Sequence, residues 1–151
     1  MRILNKVIIF AAAVLLFSAI FQFKDEKDLF ESFNYTLNIY VGTENANQIE
    51  AGGFYTVTCS KSEAGSVLKT YDNVLGTSYK FAAAEFDLSE FIDKNNLEIQ
   101  FSQELNGRLI YYLYGYKISK FEIVNGMRVS MQIIKTDDYI MAALPLILGA
   151  Y

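Results

Sequence analysis

Two Asn-Gly pairs constrain the fold of this chain more than any other feature of its sequence. They occupy positions 106–107 and 125–126, and each lies between runs in which apolar and polar residues alternate. Alternation indicates a half-buried β-strand, and Asn-Gly between two such runs is the strongest short signal for a tight hairpin. The strands that this pattern predicts are 97–102, 109–118, 121–124, 127–133 and, after a turn at 136–138, 139–148.

The last of these strands, 139–148, has apolar residues at successive positions. A strand that is apolar on both faces is typical of the centre of a sheet or of a covered sheet. Pro145 has no N–H to donate, so we expect the pairing of this strand to stop there or to reach an edge.

A capping motif precedes the longest helical pattern in the chain. Ser60 and Glu63 have the spacing of a capping box, in which the glutamate reaches back to the serine N–H. Apolar residues then recur at helical spacing and predict a main amphipathic helix over about 61–75, which ends before Gly76. The apolar stripe of this helix consists of Ala64, Val67, Leu68, Tyr71, Val74 and Leu75.

A second, short helix is predicted over about 87–94, with Asp87 as its N-cap and Glu90 in its first turn. Two further alternating runs, 34–41 and 54–59, predict strands that precede both helices. The whole pattern predicts an α+β fold, an antiparallel meander of four or five strands with the helices packed on one face.

The amino terminus has the pattern of an export signal. Arg2 and Lys6 precede the uncharged, mostly apolar stretch 7–23, and a charged stretch follows at 24–28. A basic head before an apolar core is typical of a secretory signal, and this core approaches the length that can span a bilayer. Its last residues are bulky where signal cleavage requires small ones, which favours an uncleaved signal anchor over a cleaved signal peptide.

We therefore expect the remainder of the chain to lie outside the cell membrane. It would be held there by a single-pass anchor helix with the carboxyl-terminal domain outside, or secreted if the signal is cleaved. The three parts that the sequence predicts are a signal peptide or signal anchor at 1–23, a juxtamembrane segment at 24–33 and one extracytoplasmic α+β domain at 34–151.

Composition argues against several classes of function. All 17 acidic residues and 11 of the 13 basic ones follow Phe23, so the exported part carries a net charge of −6. An acidic domain is poorly suited to nucleic acid and to anionic lipid headgroups. Histidine is absent, which removes the commonest general base and metal ligand, and the lone Cys59 allows no intramolecular disulfide. We expect no catalytic residue, no metal site and no cofactor, and Cys59 is expected to be a small buried side chain.

One group of side chains is unusual enough to suggest a binding site. Tyr112, Tyr114 and Tyr116 would share one face of the strand predicted over 109–118. Such a row can stack against a sugar ring or another small ligand. It can equally cover the core with its hydroxyl groups directed to solvent, as tyrosine in strands commonly does.

The last third of the chain resembles a known family. The residues that carry the likeness are 114–116, the stretch 124–133 with its Asn-Gly turn, and the ending 145–151. They are similar to the YwmB-like family of exported Firmicute proteins of unknown function, whose fold is likened to that of the TATA-box-binding protein. The resemblance implies a bacterial source, an export signal, a helix-on-sheet lobe and no established activity; it does not imply DNA binding.

These observations predict a non-enzymatic extracytoplasmic domain, tethered to the membrane by its N-terminal helix or secreted. Its expected role is to contact a protein or another partner in the cell envelope through its sheet. The alternative is a module that binds a small ligand or a glycan with the tyrosine row. The exposure of that row, and of the edges of the sheet, distinguishes the two.

Overall fold

A computed structural model describes residues 29–42 and 53–148. The predicted export segment 1–23 lies outside these residues. In the described part the α+β class is confirmed, because two short helices accompany a seven-stranded antiparallel sheet and a separate two-stranded hairpin.

The strands, in chain order, are β1 Thr36–Gly42, β2 Phe54–Ser60, β3 Val74–Ala82, β4 Glu98–Leu105, β5 Arg108–Tyr114, β6 Glu122–Val124, β7 Met127–Val129, β8 Met131–Lys135 and β9 Tyr139–Ala143. The helices are α1 Ala64–Leu68 and α2 Leu88–Asn95, and a 3₁₀ turn covers Ala83–Glu85.

The main sheet has the strand order β2-β1-β3-β9-β8-β5-β4, and all its pairs are antiparallel. Strands β4, β5, β8 and β9 lie side by side in the sheet in the order in which they follow along the chain, but the β6–β7 hairpin interrupts the chain between β5 and β8. The predicted meander of four or five strands is therefore present as four strands of a larger, seven-stranded sheet. Strand β9 then pairs with β3, which joins the meander to the three strands of the first half. The edges of the sheet are β2 and β4.

Both Asn-Gly turns form hairpins as predicted. Asn106 and Gly107 have φ angles of 53° and 73°, and Asn125 and Gly126 have φ angles of 51° and 77°. Positive φ at both central positions is the property of the hairpin turn whose twist matches that of its strands. The first turn joins β4 to β5, and the second joins β6 to β7.

Apolar side chains fill both faces of the main sheet. On the first face, β1, β3, β5, β8 and β9 pack against both helices and against residues 29–35. The second face carries a smaller core, which the β6–β7 hairpin and the segment 146–148 cover. The helices thus lie on one face, as expected, while the hairpin and the chain end cover part of the other.

The prediction of a main helix over 61–75 is wrong in length. Helix α1 spans only Ala64–Leu68, and strand β3 begins at Val74. Val41 in β1 pairs with Val74, and the sheet therefore uses the end of the apolar stripe as a strand. Branched and aromatic residues favour the strand conformation, so tertiary pairing prevails over the helical period here.

Three predicted strands are also corrected. The strand expected over 109–118 ends at Tyr114, because the Gly115 N–H donates to Ser130 Oγ (2.8 Å) instead of to a neighbouring strand. The strand expected over 127–133 is divided at Ser130 into β7, which pairs with β6, and β8, which joins the main sheet. The strand expected over 139–148 ends at Ala143, ahead of Pro145.

The short helix is confirmed at Leu88–Asn95, one residue from its predicted bounds at each end. The Asp87 carboxylate accepts a hydrogen bond from the Glu90 N–H at 3.0 Å, as an N-cap should. The helix ends at Asn96, whose left-handed conformation (φ 50°) closes the last turn.

Candidate interaction surfaces

The three tyrosines of the predicted row have three different environments. Tyr112 is buried, Tyr114 at the end of β5 is half-buried, and Tyr116 is 56% exposed. Tyr116 lies in the turn after β5, so it does not share a strand face with the other two. The structure therefore does not present them as one exposed platform.

Packing on the second face accounts for Tyr112. Its ring stacks on that of Phe101, with centroids 4.3 Å apart and planes 17° apart. Its hydroxyl oxygen accepts a hydrogen bond from Gln103 Nε2 at 2.8 Å. Stacking and hydroxyl bonding are what a buried tyrosine needs, so this side chain serves the structure.

Strand β2 is the most distinctive surface of the described part. It pairs with β1 residue for residue over its whole length, from Thr36 with Ser60 to Gly42 with Phe54, with no register shift. No other strand in 29–42 or 53–148 pairs with its outer side. Its seven residues include no charge and no proline, and Tyr55, Thr56 and Thr58 are exposed. A long, regular and uncharged edge is a template for pairing with another strand.

The opposite edge is different. Strand β4 carries charges at Glu98 and Glu104, and its pairing with β5 shifts register between Ile99 and Phe101. Charges and bulges are the devices by which natural sheets prevent edge-to-edge pairing. By this comparison β4 is a protected edge and β2 is not.

A chain of polar side chains fixes β2 to the sheet. Thr58 Oγ1 donates to Asn38 Oδ1 at 3.0 Å, across from β2 to β1. Asn38 Nδ2 lies 3.4 Å from Ser78 Oγ on β3, and that oxygen is 2.8 Å from the Tyr40 hydroxyl. These bonds hold three neighbouring strands in one register, so the β2 edge of the described sheet is already ordered for a partner.

The pKa values of two titratable groups around β2, Cys59 and Glu63, are shifted in opposite directions. Burial raises the pKa of the Cys59 thiol, and the nearby Glu63 carboxylate adds to the effect. The pKa of Glu63 is lowered by hydrogen bonds from the Ser60 hydroxyl and the Ser60 N–H. Cys59 is thus a neutral thiol facing the first core, and Ser60 and Glu63 form the reciprocal half of the predicted capping box, although α1 begins only at Ala64.

An open depression of about 390 Å³ lies where α2 begins. Its charged lining residues are Asp87 and Lys135. One oxygen of the Asp87 carboxylate accepts the capping hydrogen bond of α2, and Ser89 and Lys135 are the other described residues in the lining with polar side chains.

Sequence reasoning identified the tyrosines but gave β2 no role. The absence of charge in 54–60 was visible, whereas the position of this strand at an edge depends on long-range pairing. In the described residues, no group of three His, Cys, Asp or Glu side chains is arranged to hold a metal ion. Across 29–42 and 53–148, no helix has the length and apolarity needed to span a bilayer. No family model, curated protein or solved structure matches the chain.

Proposed function

We propose that this chain is a non-enzymatic extracytoplasmic domain, tethered to the cell membrane or secreted, that binds a protein partner of the cell envelope. The partner would add an extended strand to β2. The observation that carries this proposal is the uncharged and regular edge of β2, which no strand of residues 29–42 or 53–148 pairs on its outer side, set against the protected edge of β4.

Strand addition fits the chemistry of this edge. In such complexes main-chain hydrogen bonds supply affinity, and alternate side chains supply specificity. Tyr55 on one face and Thr56 on the other are exposed and uncharged, so neither repels an incoming strand. The polar chain through Thr58, Asn38 and Ser78 orders β2 in advance, which reduces the entropy lost on binding.

The alternative, a small-ligand or glycan module built on the tyrosine row, has no observation in its favour. It would require the rings of Tyr112, Tyr114 and Tyr116 to be exposed together, and Tyr112 is buried under Phe101. Membership of the YwmB-like family stays a prediction.

Location is tested first. Full-length chain with a C-terminal tag is expressed in bacterial cells, the cells are stripped of their wall, and protease is added outside. We expect the tag to be digested from outside, either on a full-length membrane-bound chain or on a shorter chain in the medium. A tag protected inside intact cells would contradict the proposed location.

The edge is tested by crosslinking in the same cells. A photoreactive phenylalanine analogue replaces Tyr55 in one chain and Leu105, exposed at the end of β4, in the control. We expect a discrete crosslinked product from position 55 that disappears when Thr56→Lys is added. The matched change Ser102→Lys, on the other edge, should leave it intact. Crosslinking that is equal at both positions, or indifferent to Thr56→Lys, would overturn the role of β2.

A further inference from the structure

The β6–β7 hairpin carries the highest concentration of exposed apolar side chains in the described chain. Phe121, Ile123 and Met127 are all exposed and lie within seven residues, and Ile123 is 60% exposed. The inner side of the hairpin is fixed, because Val129 is fully buried and Val124 packs in the second core. The exposed apolar residues therefore stand on a rigid support.

The outer face of the hairpin, defined as Phe121, Ile123 and Arg128, combines apolar and cationic groups. Ile123 pairs with Arg128 across the two strands, so the two side chains share one face. The Arg128 guanidinium lies over the Phe121 ring, 5.1 Å from its centroid. The one acidic residue of the hairpin, Glu122, pairs with Val129 and so points to the opposite face.

Charge is distributed unevenly between this region and the rest of the domain. Residues 116–128 contain Lys117, Lys120 and Arg128 against one glutamate, which gives +2. The other residues after Phe23 contain eight basic and sixteen acidic side chains, which gives −8. The net charge of the whole domain argues against anionic lipid, but the segment 116–128 is locally basic and exposes Phe121 and Ile123 beside Arg128.

We propose that the outer face of the β6–β7 hairpin is a docking surface for an anionic lipid bilayer. Phe121 and Ile123 would enter the headgroup region, while Arg128 and Lys120 contact lipid phosphates. Basic residues beside exposed aromatic and aliphatic side chains are the combination that binds peripheral proteins to membranes.

The size of the surface favours a bilayer over a protein. A specific protein interface buries about 800 Å² on each partner, which three side chains do not supply. A bilayer requires less area, because a membrane tether would keep the whole domain, and the hairpin with it, at a high effective concentration near the lipid surface. That step rests on the proposed tether: only residues 24–28 separate the apolar stretch from Leu29, which is buried in the core, and they span at most about 20 Å.

The absence of tryptophan from the sequence provides a direct test. Full-length chain carrying Phe121→Trp is reconstituted into vesicles of phosphatidylcholine alone or of phosphatidylcholine with phosphatidylglycerol. The matched control carries Leu105→Trp, at the β4–β5 turn, where the native side chain is similarly exposed. Lipids brominated on the acyl chain quench a tryptophan that lies in the bilayer.

In the phosphatidylglycerol vesicles, we expect Trp fluorescence at position 121 to shift to shorter wavelength and to be quenched, and at position 105 to do neither. The quenching should weaken in neutral vesicles, at high salt, and when Lys120→Glu and Arg128→Glu are added. Ile123→Trp supplies a second reporter, and circular dichroism verifies that every variant is folded.

The proposal would be overturned by no quenching at 121 and 123, by equal quenching at 105, or by equal quenching in neutral and anionic vesicles. A spectral shift that follows protein concentration but not bromine would assign the surface to a second copy of the chain and would also overturn it. The proposed tether is tested separately by flotation of the wild-type chain with neutral vesicles. A chain that does not float with them would show that the tether is absent.

Discussion

Cys59 shows how a cysteine on an edge strand can have low chemical reactivity. Although β2 is an edge strand, the Cys59 side chain faces the first core and is only 8% exposed. Burial, followed by the Glu63 carboxylate, raises the pKa of its thiol. The thiolate is the reactive form of cysteine, so both access and ionisation are reduced.

We therefore expect Cys59 in the folded chain to react slowly with iodoacetamide at pH 8 and to react fast in concentrated urea. Mass spectrometry of the labelled chain follows both rates. An Ile123→Cys chain in a Cys59→Ala background is the control, because position 123 is exposed, and it should be labelled rapidly while folded. Equal rates for the two folded chains would show that Cys59 is accessible.

The same shift has a consequence for stability against pH. In the unfolded chain the thiol ionises near its ordinary pKa, about 8.5, and in the folded chain it ionises at a higher pH. The unfolded state therefore holds fewer protons in that interval. The contribution of Cys59 to the free energy of unfolding is complete below the ordinary thiol range and is lost as pH rises through the raised pKa.

At the scale of single residues, the sequence was least informative about which polar side chains are buried. Ser130 and Gln132 occupy alternate positions beside apolar residues, which predicts exposure, yet both are fully buried. Ser130 Oγ accepts the Gly115 N–H, and Gln132 Oε1 accepts the Ile147 N–H at 2.8 Å. Their burial follows from the second core, which forms only when the chain end and the hairpin close over the sheet.

At the scale of secondary-structure elements, features determined by adjacent residues were predicted correctly, whereas features determined by long-range strand pairing were not. The two Asn-Gly turns and helix α2 were predicted because a few adjacent residues determine them. Helix α1 was predicted too long because the strand at Val74–Ala82 depends on β1, more than thirty residues earlier. The edge position of β2, on which the proposed function depends, is equally a product of distant pairing.

Two glycines test the elements that adjacent residues determine, because the backbone conformation at each depends on its local sequence. A Cβ at Gly65, in α1, would meet no other atom, whereas Gly126 has a φ of 77° in the hairpin turn. We expect Gly65→Ala to raise the free energy of unfolding by about 0.5–1 kcal/mol, through helix propensity and a less flexible unfolded chain. Gly126→Ala should lower it by about 1–2 kcal/mol, because alanine is strained in the left-handed region.

Urea unfolding of the full chain in mild detergent, followed by circular dichroism, measures both changes. The two variants make the same chemical change, so opposite signs would reflect backbone conformation alone. Destabilisation by Gly65→Ala would show that α1 does not have the helical conformation described. No change in the free energy of unfolding on Gly126→Ala would show that the hairpin can adopt another turn conformation without loss of stability.

At the scale of the whole molecule, the segment that leads in from the amino terminus belongs to the folded unit. Phe30 is fully buried, with its ring 4.5 Å from Tyr79 and 5.5 Å from Phe91. The Lys61 ammonium group donates to the carbonyl oxygens of Glu31 and Phe33. Residues 29–33 of the predicted juxtamembrane segment therefore pack into the core and bond to Lys61.

We expect Phe30→Ala to lower the free energy of unfolding by about 3–5 kcal/mol, the cost of removing a buried phenylalanine side chain. Phe121→Ala is the matched control: its side chain is 45% exposed on the hairpin, and the change should stay within about 0.5 kcal/mol of zero. Both are measured by urea unfolding of the full chain in mild detergent. A near-neutral Phe30→Ala would mean that residues 29–33 are a separable linker, and the domain could then stand well away from the membrane. A large loss would mean that the core itself begins within about 20 Å of the predicted anchor, because residues 29–33 could not then act as an extended spacer between the anchor and the domain.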